Sequence, residues 1–270
     1  MQQNKKNKAF KFDLIRLLQV TCFMAFSFSA VAMKQDLTKE HLQKIFKEEL
    51  SYIKTSEQLA VDELWALINI SELTGDNKLK AFVKQKKEYV SEDPFLLLID
   101  SAAPRIALSS DVGIGSQKLF NYMSAPFGEP EIRAKKYIDQ FLNYKATGYI
   151  LTHQFLVLEW AIQTGLITAE KYRIKKLDLL TKIYDEQLKE KFFSDLYSER
   201  VTILFKYADV EFSDQKKWVS MIVKMRKSTG GWGLFERREA FDGQEAVIKP
   251  GDVHTRLLNI WSIQMYLKTL

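Results

Sequence analysis

Residues 149–165, YILTHQFLVLEWAIQTG, decide the fold class of this chain. Apolar side chains recur in this stretch at spacings of three and four and at many positions between, which predicts a strongly apolar helix. Gly148 precedes the stretch and Gly165 ends it, and both favour turns.

Helical spacing continues on both sides of this stretch. Residues 38–53, 56–75 and 130–142 precede it, and residues 168–190, 191–208, 213–227 and 253–267 follow it, each as a further predicted helix. The apolar stripe of the first of these consists of Leu42, Ile45, Phe46, Leu50 and Ile53. No stretch of the sequence shows a sustained alternation of apolar and polar residues. We therefore expect an all-α fold built from antiparallel helical hairpins.

Three segments interrupt the helical pattern. Pro94 starts an apolar segment, residues 95–108, which Pro104 breaks or kinks. Residues 109–116 and 230–251 are rich in glycine, and we expect loops there. Gly113 and Gly115 form a Gly-x-Gly pair, a weak phosphate-binding signal that we interpret as a turn because no strand precedes it.

The first 32 residues are organised as a secretory signal peptide. Five basic residues accompany an apolar run, residues 17–32, that ends Ala30-Val31-Ala32. This order predicts cleavage after Ala32 and a periplasmic or secreted protein, residues 33–270, that forms a single all-helical domain. The alternative is a permanent membrane anchor. Because the apolar run is short for a transmembrane helix, we expect no stable anchor after cleavage.

Charge and cysteine content narrow the classes of function. The leader holds five basic residues and one acidic residue, so that its removal lowers the formal net charge from +6 to +2. Such a weak charge gives no case for nucleic-acid binding. The single cysteine, Cys22, lies in the leader. Disulfides, thiol chemistry and cysteine–zinc sites are therefore excluded from residues 33–270.

Part of the apolar stretch 149–165 has a similar counterpart near the end of the sequence. HQFLVLEWAI begins at His153 and HTRLLNIWSI begins at His254, and a glycine, Gly148 or Gly251, stands shortly before each. Both copies have aliphatic residues at +3 and +4, Trp at +7, a small residue at +8 and Ile at +9. Positions 0, +3, +4 and +7 share one face of a helix. We therefore expect each histidine near a helix start, on a stripe that ends in tryptophan, unless the match arises by chance.

The sequence STGGWG, residues 228–233, stands before the second copy. Together with the repeat, it resembles the repeat signature of the α/α-toroid proteins, the terpene-cyclase and protein-prenyltransferase superfamily, over residues 149–270. The resemblance implies that helical hairpins close into a full or partial ring around a central cavity. It also implies tight turns at the glycines and a Trp232 that packs over a helix end.

The chemistry of that superfamily does not carry over to this chain. The family repeat has Gln six residues before the Trp and Asp three residues before it, where this chain has Arg226 and Thr229. Asp-x-Asp-Asp and Asp-Asp-x-x-Asp clusters do not occur in the sequence, and the zinc site of the prenyltransferases needs a cysteine that residues 33–270 lack. The resemblance thus implies the fold alone.

His153, Asp252 and His254 are the predicted metal ligands. Two imidazoles and one carboxylate bind zinc or another divalent ion and leave an open position for water. In a toroid, both helix starts could open onto the same end of the cavity. The alternatives are a hydrogen bond from His153 to a neighbouring loop and an N-cap role for Asp252.

Glu159 joins His153 as a candidate catalytic residue. A carboxylate inside an apolar run is a candidate acid or base. Its offset of six residues turns it away from the face that carries His153, so the alternative is a polar partner on another helix.

Aromatic and basic side chains are predicted to line a ligand cavity. Tyr149, Trp160, Trp232 and Trp261 offer faces that stack on sugar or lipid. Arg237, after the GGWG loop, is suited to a carboxylate or phosphate. The alternatives are core packing for the rings and a solvated loop for the arginine.

Two functions fit these features. The first is an exported enzyme with a central cavity, a metal-assisted hydrolase or lyase that acts on polysaccharide or peptide, in which the predicted metal ligands converge. The second is a non-catalytic helical binding or scaffolding module for a small-molecule, carbohydrate or peptide ligand, in which those residues stand apart. An exported effector that acts on another cell is also compatible, although no feature of the sequence favours it.

Overall fold

Ten α-helices make up most of the part of the chain that the structure describes. The computed structural model describes residues 37–270 except 91, 112 and 209, so the predicted leader, its cleavage point after Ala32 and Cys22 lie outside the described residues. The helices are α1 (Lys39–Lys54), α2 (Val61–Thr74), α3 (Asn77–Lys86), α4 (Gly115–Ser124), α5 (Glu131–Leu142), α6 (Gly148–Gln163), α7 (Ala169–Lys189), α8 (Asp195–Tyr207), α9 (Gln215–Met225) and α10 (Asp252–Leu267). The predicted all-α class is confirmed.

The helical pattern locates the core correctly. Leu42, Ile45, Leu50 and Ile53 of the predicted stripe on α1 are buried, and Phe46 is half-buried. The strongly apolar stretch that we predicted as a helix over residues 149–165 forms α6, which has buried residues on most of its faces. None of the helices in the described part of the chain is both long and apolar enough to span a membrane.

Two short two-stranded sheets accompany the helices among the described residues. In the first, β1 (Ile106–Ala107) runs parallel to β2 (Gly128–Glu129). In the second, β3 (Arg237–Phe241) and β4 (Gln244–Ile248) form an antiparallel hairpin. Asp242 and Gly243 between them both have positive φ, as a two-residue hairpin turn requires. The prediction of a plain loop over residues 230–251 was therefore wrong for residues 237–248.

The segment after Pro94 forms no α-helix. Among the described residues, three 3₁₀-helices lie between longer elements, at Lys87–Val90, Leu96–Leu98 and Ala125–Phe127. The apolar residues 95–108 contribute the second of these turns and strand β1. The predicted loop over residues 109–116 ends early, because α4 already begins at Gly115.

Four helices form an inner set. They lie within the described part of residues 42–270, which forms one compact unit. Helices α2, α10, α8 and α6 pack against one another in that order, and Trp65 of α2 meets Trp160 of α6 edge-on, with 6.1 Å between ring centroids. Helix α8 is buried over residues 195–204. Helix α7 packs against both α6 and α8, and α9 packs against α10.

Candidate functional site

Two adjoining cavities lie where the inner helices begin. The larger, which we call the main cavity, has a volume of about 330 Å³, and the smaller cavity has a volume of about 270 Å³. Five ionisable side chains line both cavities: Asp62 and Glu63 from α2, His153 from α6, Glu199 from α8 and His254 from α10. All of them belong to the first two turns of their helices. The inner set therefore places four helix starts around one site.

Helix α8 supplies two carboxyl groups one turn apart. Ser194 starts the helix, because its Oγ accepts the backbone N–H of Tyr197 at 3.1 Å. Asp195 lies in the first turn, where the partial positive charge of the helix N-terminus favours a carboxylate. Glu199 follows four residues later and so shares its face of the helix.

Asp195 is fully buried and accepts hydrogen bonds on both oxygens. The Tyr149 hydroxyl donates to Oδ2, and the Thr255 hydroxyl donates to Oδ1. Nδ1 of His254 lies 3.2 Å from the same Oδ1. The carboxylate thus joins the starts of α6, α8 and α10.

The pair formed by Asp195 and His254 is ionised at neutral pH. Burial opposes the charge of Asp195, but the neighbouring imidazolium and three hydrogen bonds lower its pKa below the usual value. Burial likewise opposes the charge of His254, yet Asp195 raises the imidazole pKa to about 10. Burial, followed by the Asp195 charge, raises the pKa of Tyr149, which therefore stays a hydrogen-bond donor.

Glu199 is in the opposite state. Only 4% of the residue is exposed, and its Oε1 has no hydrogen-bond partner in the described part of the chain. Burial raises the pKa of its carboxyl group, and the nearby His153 only partly offsets this effect. The cavity thus contains a carboxyl group that holds its proton to higher pH than an exposed glutamate does.

His153 presents one ring nitrogen to its own helix. Its Nδ1 lies 2.6 Å from the carbonyl oxygen of Tyr149, to which it can only donate. Nε2 is therefore the nitrogen that can serve a ligand. Since His153 lines both cavities together with Glu199, an acid and a base meet in one site.

The remaining lining of the main cavity is apolar, aliphatic and aromatic, except for one further acidic side chain. Asp93 adds a further carboxyl group, and burial raises the pKa of Asp93 and of Glu63. No lysine or arginine of the described chain lines the main cavity. The rings that line it are those of Trp65, Phe95, Phe120 and Trp160.

The structure brings the two copies of the sequence repeat together. His153 and His254 both line the main cavity. Trp160 and Trp261 both make edge-on contacts with Trp65, at centroid distances of 6.1 and 5.5 Å. The repeat thus lies in two inner helices that face the same site.

The residues predicted to bind a ligand divide into two groups. Trp160 lines the main cavity, and Tyr149 lines the smaller one. Trp261 and Trp232 are buried and line neither cavity. Trp232 donates its Nε1 to a backbone carbonyl of α9 at 2.6 Å, as a packing residue does.

Arg237 and Glu159 form ion pairs outside the two cavities. The Nε of Arg237 lies 2.6 Å from Oε1 of Glu239, and its guanidinium carbon lies 6.0 Å from the Tyr149 ring centroid. Glu159 lies 2.9 Å from Nζ of Lys176 on α7. This is the polar partner on another helix that the sequence left open as an alternative.

The three predicted metal ligands do not form a metal-binding group. Asp252 Oδ2 accepts from Nε of Arg256 at 2.6 Å, while His254 pairs with Asp195. Among the described residues, no group of three histidine, cysteine or acidic side chains is arranged to hold a metal ion. His153 and His254 share the site, but they share it with carboxyl groups from α2 and α8.

Sequence reasoning missed the acidic residues of this site. Asp195 and Glu199 lie in residues 191–208, a segment that the sequence identified only as a helix. Their spacing of four, within a helix whose other side chains are largely apolar or small, is a signal that could have paired them. Asp62 and Glu63 carried no such signal, because acidic residues are common in the first turn of a helix.

The chain was also compared with protein-family models, curated proteins and solved structures. None of these comparisons finds a match. The similarity to α/α-toroid proteins therefore stays a prediction, and the function has to be argued from the site.

Proposed function

We propose that this protein is a hydrolase that cleaves polysaccharide or peptide by acid–base catalysis, with Glu199 as the proton donor. The observation that carries the proposal is the Glu199 carboxyl group, buried in a cavity with one oxygen that no described residue contacts through a hydrogen bond. Because burial raises its pKa, this group holds its proton to higher pH than an exposed glutamate does, which suits it to give that proton to a leaving oxygen or nitrogen.

His153 is suited to act as the base. Its Nε2 takes a proton from water, and the water oxygen bonds to the substrate carbon as the bond to the leaving group breaks. Glu199 gives its proton to that leaving group, and exchange with solvent restores both residues. His254, held as an imidazolium by Asp195, supplies a fixed positive charge, which for a peptide substrate stabilises the oxyanion that forms when water adds to the carbonyl carbon.

The test is Glu199→Gln, which keeps the shape of the side chain and removes the acid. We expect kcat/KM to fall by at least ~100-fold, the usual contribution of a general acid, with no loss in melting temperature. Cleavage is measured as new reducing ends on polysaccharides and as new amino termini on peptides. Glu131→Gln, an exposed change on α5, is the matched control. A Glu199→Gln variant that keeps the parental rate would contradict the assignment.

A non-catalytic binding module is the second candidate. The observation in its favour is the aromatic lining of the main cavity, which is suited to hold a ligand without chemistry. A protein that binds an oligosaccharide or peptide but cleaves none of them, with Glu199→Gln binding unchanged, would favour this candidate over the hydrolase.

For the fold, we propose a full or partial α/α toroid of antiparallel helical hairpins. The mutual packing of α2, α10, α8 and α6, with α7 and α9 against them, supports this arrangement. The GGWG sequence before α10 supports it as well. An experimental structure in which the inner helices do not surround the cavities would overturn it.

Export is part of the same proposal. The basic and apolar order of residues 1–32 supports secretion to the periplasm or the medium, as does the small-x-small ending at Ala32. Amino-terminal sequencing of the protein recovered from outside the cytoplasm should give a chain that begins at Met33. A full-length chain retained in the membrane fraction would contradict this expectation.

A further inference from the structure

We infer that one wall of the main cavity binds a positively charged ammonium group of the substrate. This acidic wall consists of Asp62, Glu63, Trp65, Asp93 and Phe95. The inference deepens the proposed function and rests on it for the identity of the substrate. It is tested through binding, so either proposal can fail alone.

The charges around the main cavity are unbalanced. Besides Glu199, to which the proposed function assigns a proton, three carboxyl groups line it, those of Asp62, Glu63 and Asp93, and its only basic groups among the described residues are two imidazoles. One of these, His254, is already committed to Asp195 at 3.2 Å and lies 3.8 Å from Asp62. The smaller cavity adds Lys249, which pairs with an exposed glutamate at 3.1 Å.

Glu63 and Asp93 lack a strong cationic partner. Glu63 accepts the backbone N–H of Ala60 at 2.9 Å, and Asp93 accepts that of Phe95 at 2.8 Å. Neither forms an ion pair with a lysine or arginine of the described chain. Burial, together with the nearby Asp62, raises the pKa of both carboxyl groups. A cation placed among the three would relieve this repulsion.

The aromatic part of the wall favours the same ligand. Trp65 follows Glu63 by two residues on α2, and Phe95 follows Asp93 by two residues. Both rings line the main cavity with the carboxyl groups. An ammonium group is attracted by the face of an aromatic ring as well as by a carboxylate, whereas an anion is repelled by both.

An independent observation indicates that a donor is missing from this cavity. Oε1 of Glu199 is buried and accepts no hydrogen bond from any residue that the structure describes. An ammonium group carries three N–H donors, so it can donate to the Glu199 oxygen that does not hold the acid proton and to the carboxylates of the wall. Nε1 of Trp160, which lines the same cavity, is likewise without a partner among the described residues, so the substrate has to offer an acceptor beside its ammonium group.

Two kinds of substrate carry such a group. One is a polysaccharide with free amino sugars, and the other is a peptide with a free amino terminus. A cavity of about 330 Å³ holds one sugar ring or one to two amino-acid residues. Both sources share the ammonium chemistry, and acetylation of the nitrogen abolishes it in both.

The experiment is calorimetric titration of the full chain with two matched pairs of probes. The first pair is a glucosamine trisaccharide and its N-acetylated form, and the second is trialanine and N-acetyl-trialanine. We expect the free amine of one pair to bind at least ~10-fold more tightly than its acetylated form, because charge-assisted contacts are lost on acetylation. The pair that shows the preference identifies the source.

Variants tie the preference to the acidic wall. Glu63→Gln and Asp93→Asn should each abolish most of the preference, and Glu131→Gln should leave it unchanged. Equal or tighter binding of the acetylated forms, no binding of any probe, or a preference that survives both wall variants would overturn the inference. Cleavage of a neutral substrate without any amine preference would overturn it and leave the proposed function standing. A Glu199→Gln protein that loses cleavage but keeps the amine preference separates the two roles.

Discussion

Two buried glutamates of this protein differ in how completely their oxygens are used. Oε1 of Glu49 accepts from Nε of Arg226 at 2.6 Å and from the backbone N–H of Gly231 at 2.9 Å, and Oε2 pairs with Arg256. We call these four residues the Glu49 cluster. Oε1 of Glu199 has no such partner within the described residues. Burial of a carboxyl group therefore does not by itself indicate function. A buried carboxyl oxygen that lies beside a cavity and lacks a hydrogen-bond partner is the more informative signal.

The Glu49 cluster also explains part of the GGWG sequence. Gly231 has φ +71, and a Cβ at this position would clash with the guanidinium of Arg256. The glycine thus lets the loop approach the buried ion pair closely, and its backbone N–H takes part in the cluster. What the sequence suggested as a tight turn serves here to complete a structural ion pair.

The comparison predicts its largest effect at Glu49. Glu49→Ala should lower the free energy of unfolding by about 3–5 kcal/mol, because two arginines would lose the carboxylate that compensates them. Chemical denaturation measures this loss. Glu48→Ala is the control, since Glu48 contacts Arg226 from an exposed position and should cost below about 1 kcal/mol. Equal losses in both variants would show that the Glu49 cluster stabilises the protein no more than an exposed ion pair does.

The next effect is expected at Asp195. Asp195→Asn should cost about 1–3 kcal/mol at pH 7, because an amide replaces the carboxylate that three groups share. It should also change the pH dependence. The pKa of His254 is raised to about 10, so its contribution to stability is complete below about 6.5, the pKa of an unperturbed histidine, and is lost as the pH rises towards 10.

That alkaline loss should be much smaller in Asp195→Asn than in the parent protein. On the acid side, the lowered pKa of Asp195 gives stability that is present above 3.8 and is lost as the pH falls through the lower folded value. Thr255→Val removes one hydrogen bond but keeps the ion pair, so it should still lose stability at both acid and alkaline pH as the parent protein does. The test is to measure melting temperatures from acid to alkaline pH. If Asp195→Asn lost as much stability at alkaline pH as the parent protein does, the ion pair between Asp195 and His254 would be refuted.

Glu199→Gln should have a smaller effect on stability, and of the opposite sign. The pKa of Glu199 is raised, so the unfolded chain releases this proton more readily and the folded state loses stability as the pH rises above 4.5. The amide removes that penalty, so we expect the variant to be slightly more stable than the parent protein at pH 7. Denaturation of Glu49→Gln beside it provides the matched comparison. A clear loss at both positions would mean that Glu199 is structural as well.

The smallest effect is expected at Glu159, whose ion pair with Lys176 is partly exposed. Glu159→Gln should change the free energy of unfolding by less than about 1 kcal/mol and leave cleavage unaltered. A loss of activity without a loss of stability would return Glu159 to the list of catalytic candidates.

The fold class could be predicted because apolar residues at helical spacing form one face of a helix, and that face is buried in the folded protein. Ile45 and Ile53 are buried where their spacing places them, and the strongly apolar stretch became the inner helix α6. The β3–β4 hairpin was missed although Asp242-Gly243 is a known turn signal. Its strands carry charged residues such as Arg238 and Glu245, which conceal the alternation that marks a strand.

The site was harder to predict because it depends on which buried oxygens and nitrogens have hydrogen-bond partners, and a sequence does not show this. His153 and His254 were found through their repeated context, and both line the main cavity. Asp252 was chosen for its place beside His254 in the sequence, but on a helix a separation of two residues turns side chains apart, and Asp252 pairs with Arg256 four residues on. Nothing in the local sequence of Glu199 tells that one of its oxygens is left without a donor.

The hairpin has a consequence for how this protein can vary. Glu239 of β3 accepts the backbone N–H groups of Tyr149 and Ile150 at 3.0 and 3.4 Å, so the start of α6 is capped from a distant strand. Gly148 has φ +60, and a Cβ there would occupy the space of the Glu239 carboxylate. Positions 148 and 239 should therefore be inherited as a pair. A homologue that gains a side chain at position 148 has to give up the acid at position 239 and cap the start of this helix in another way.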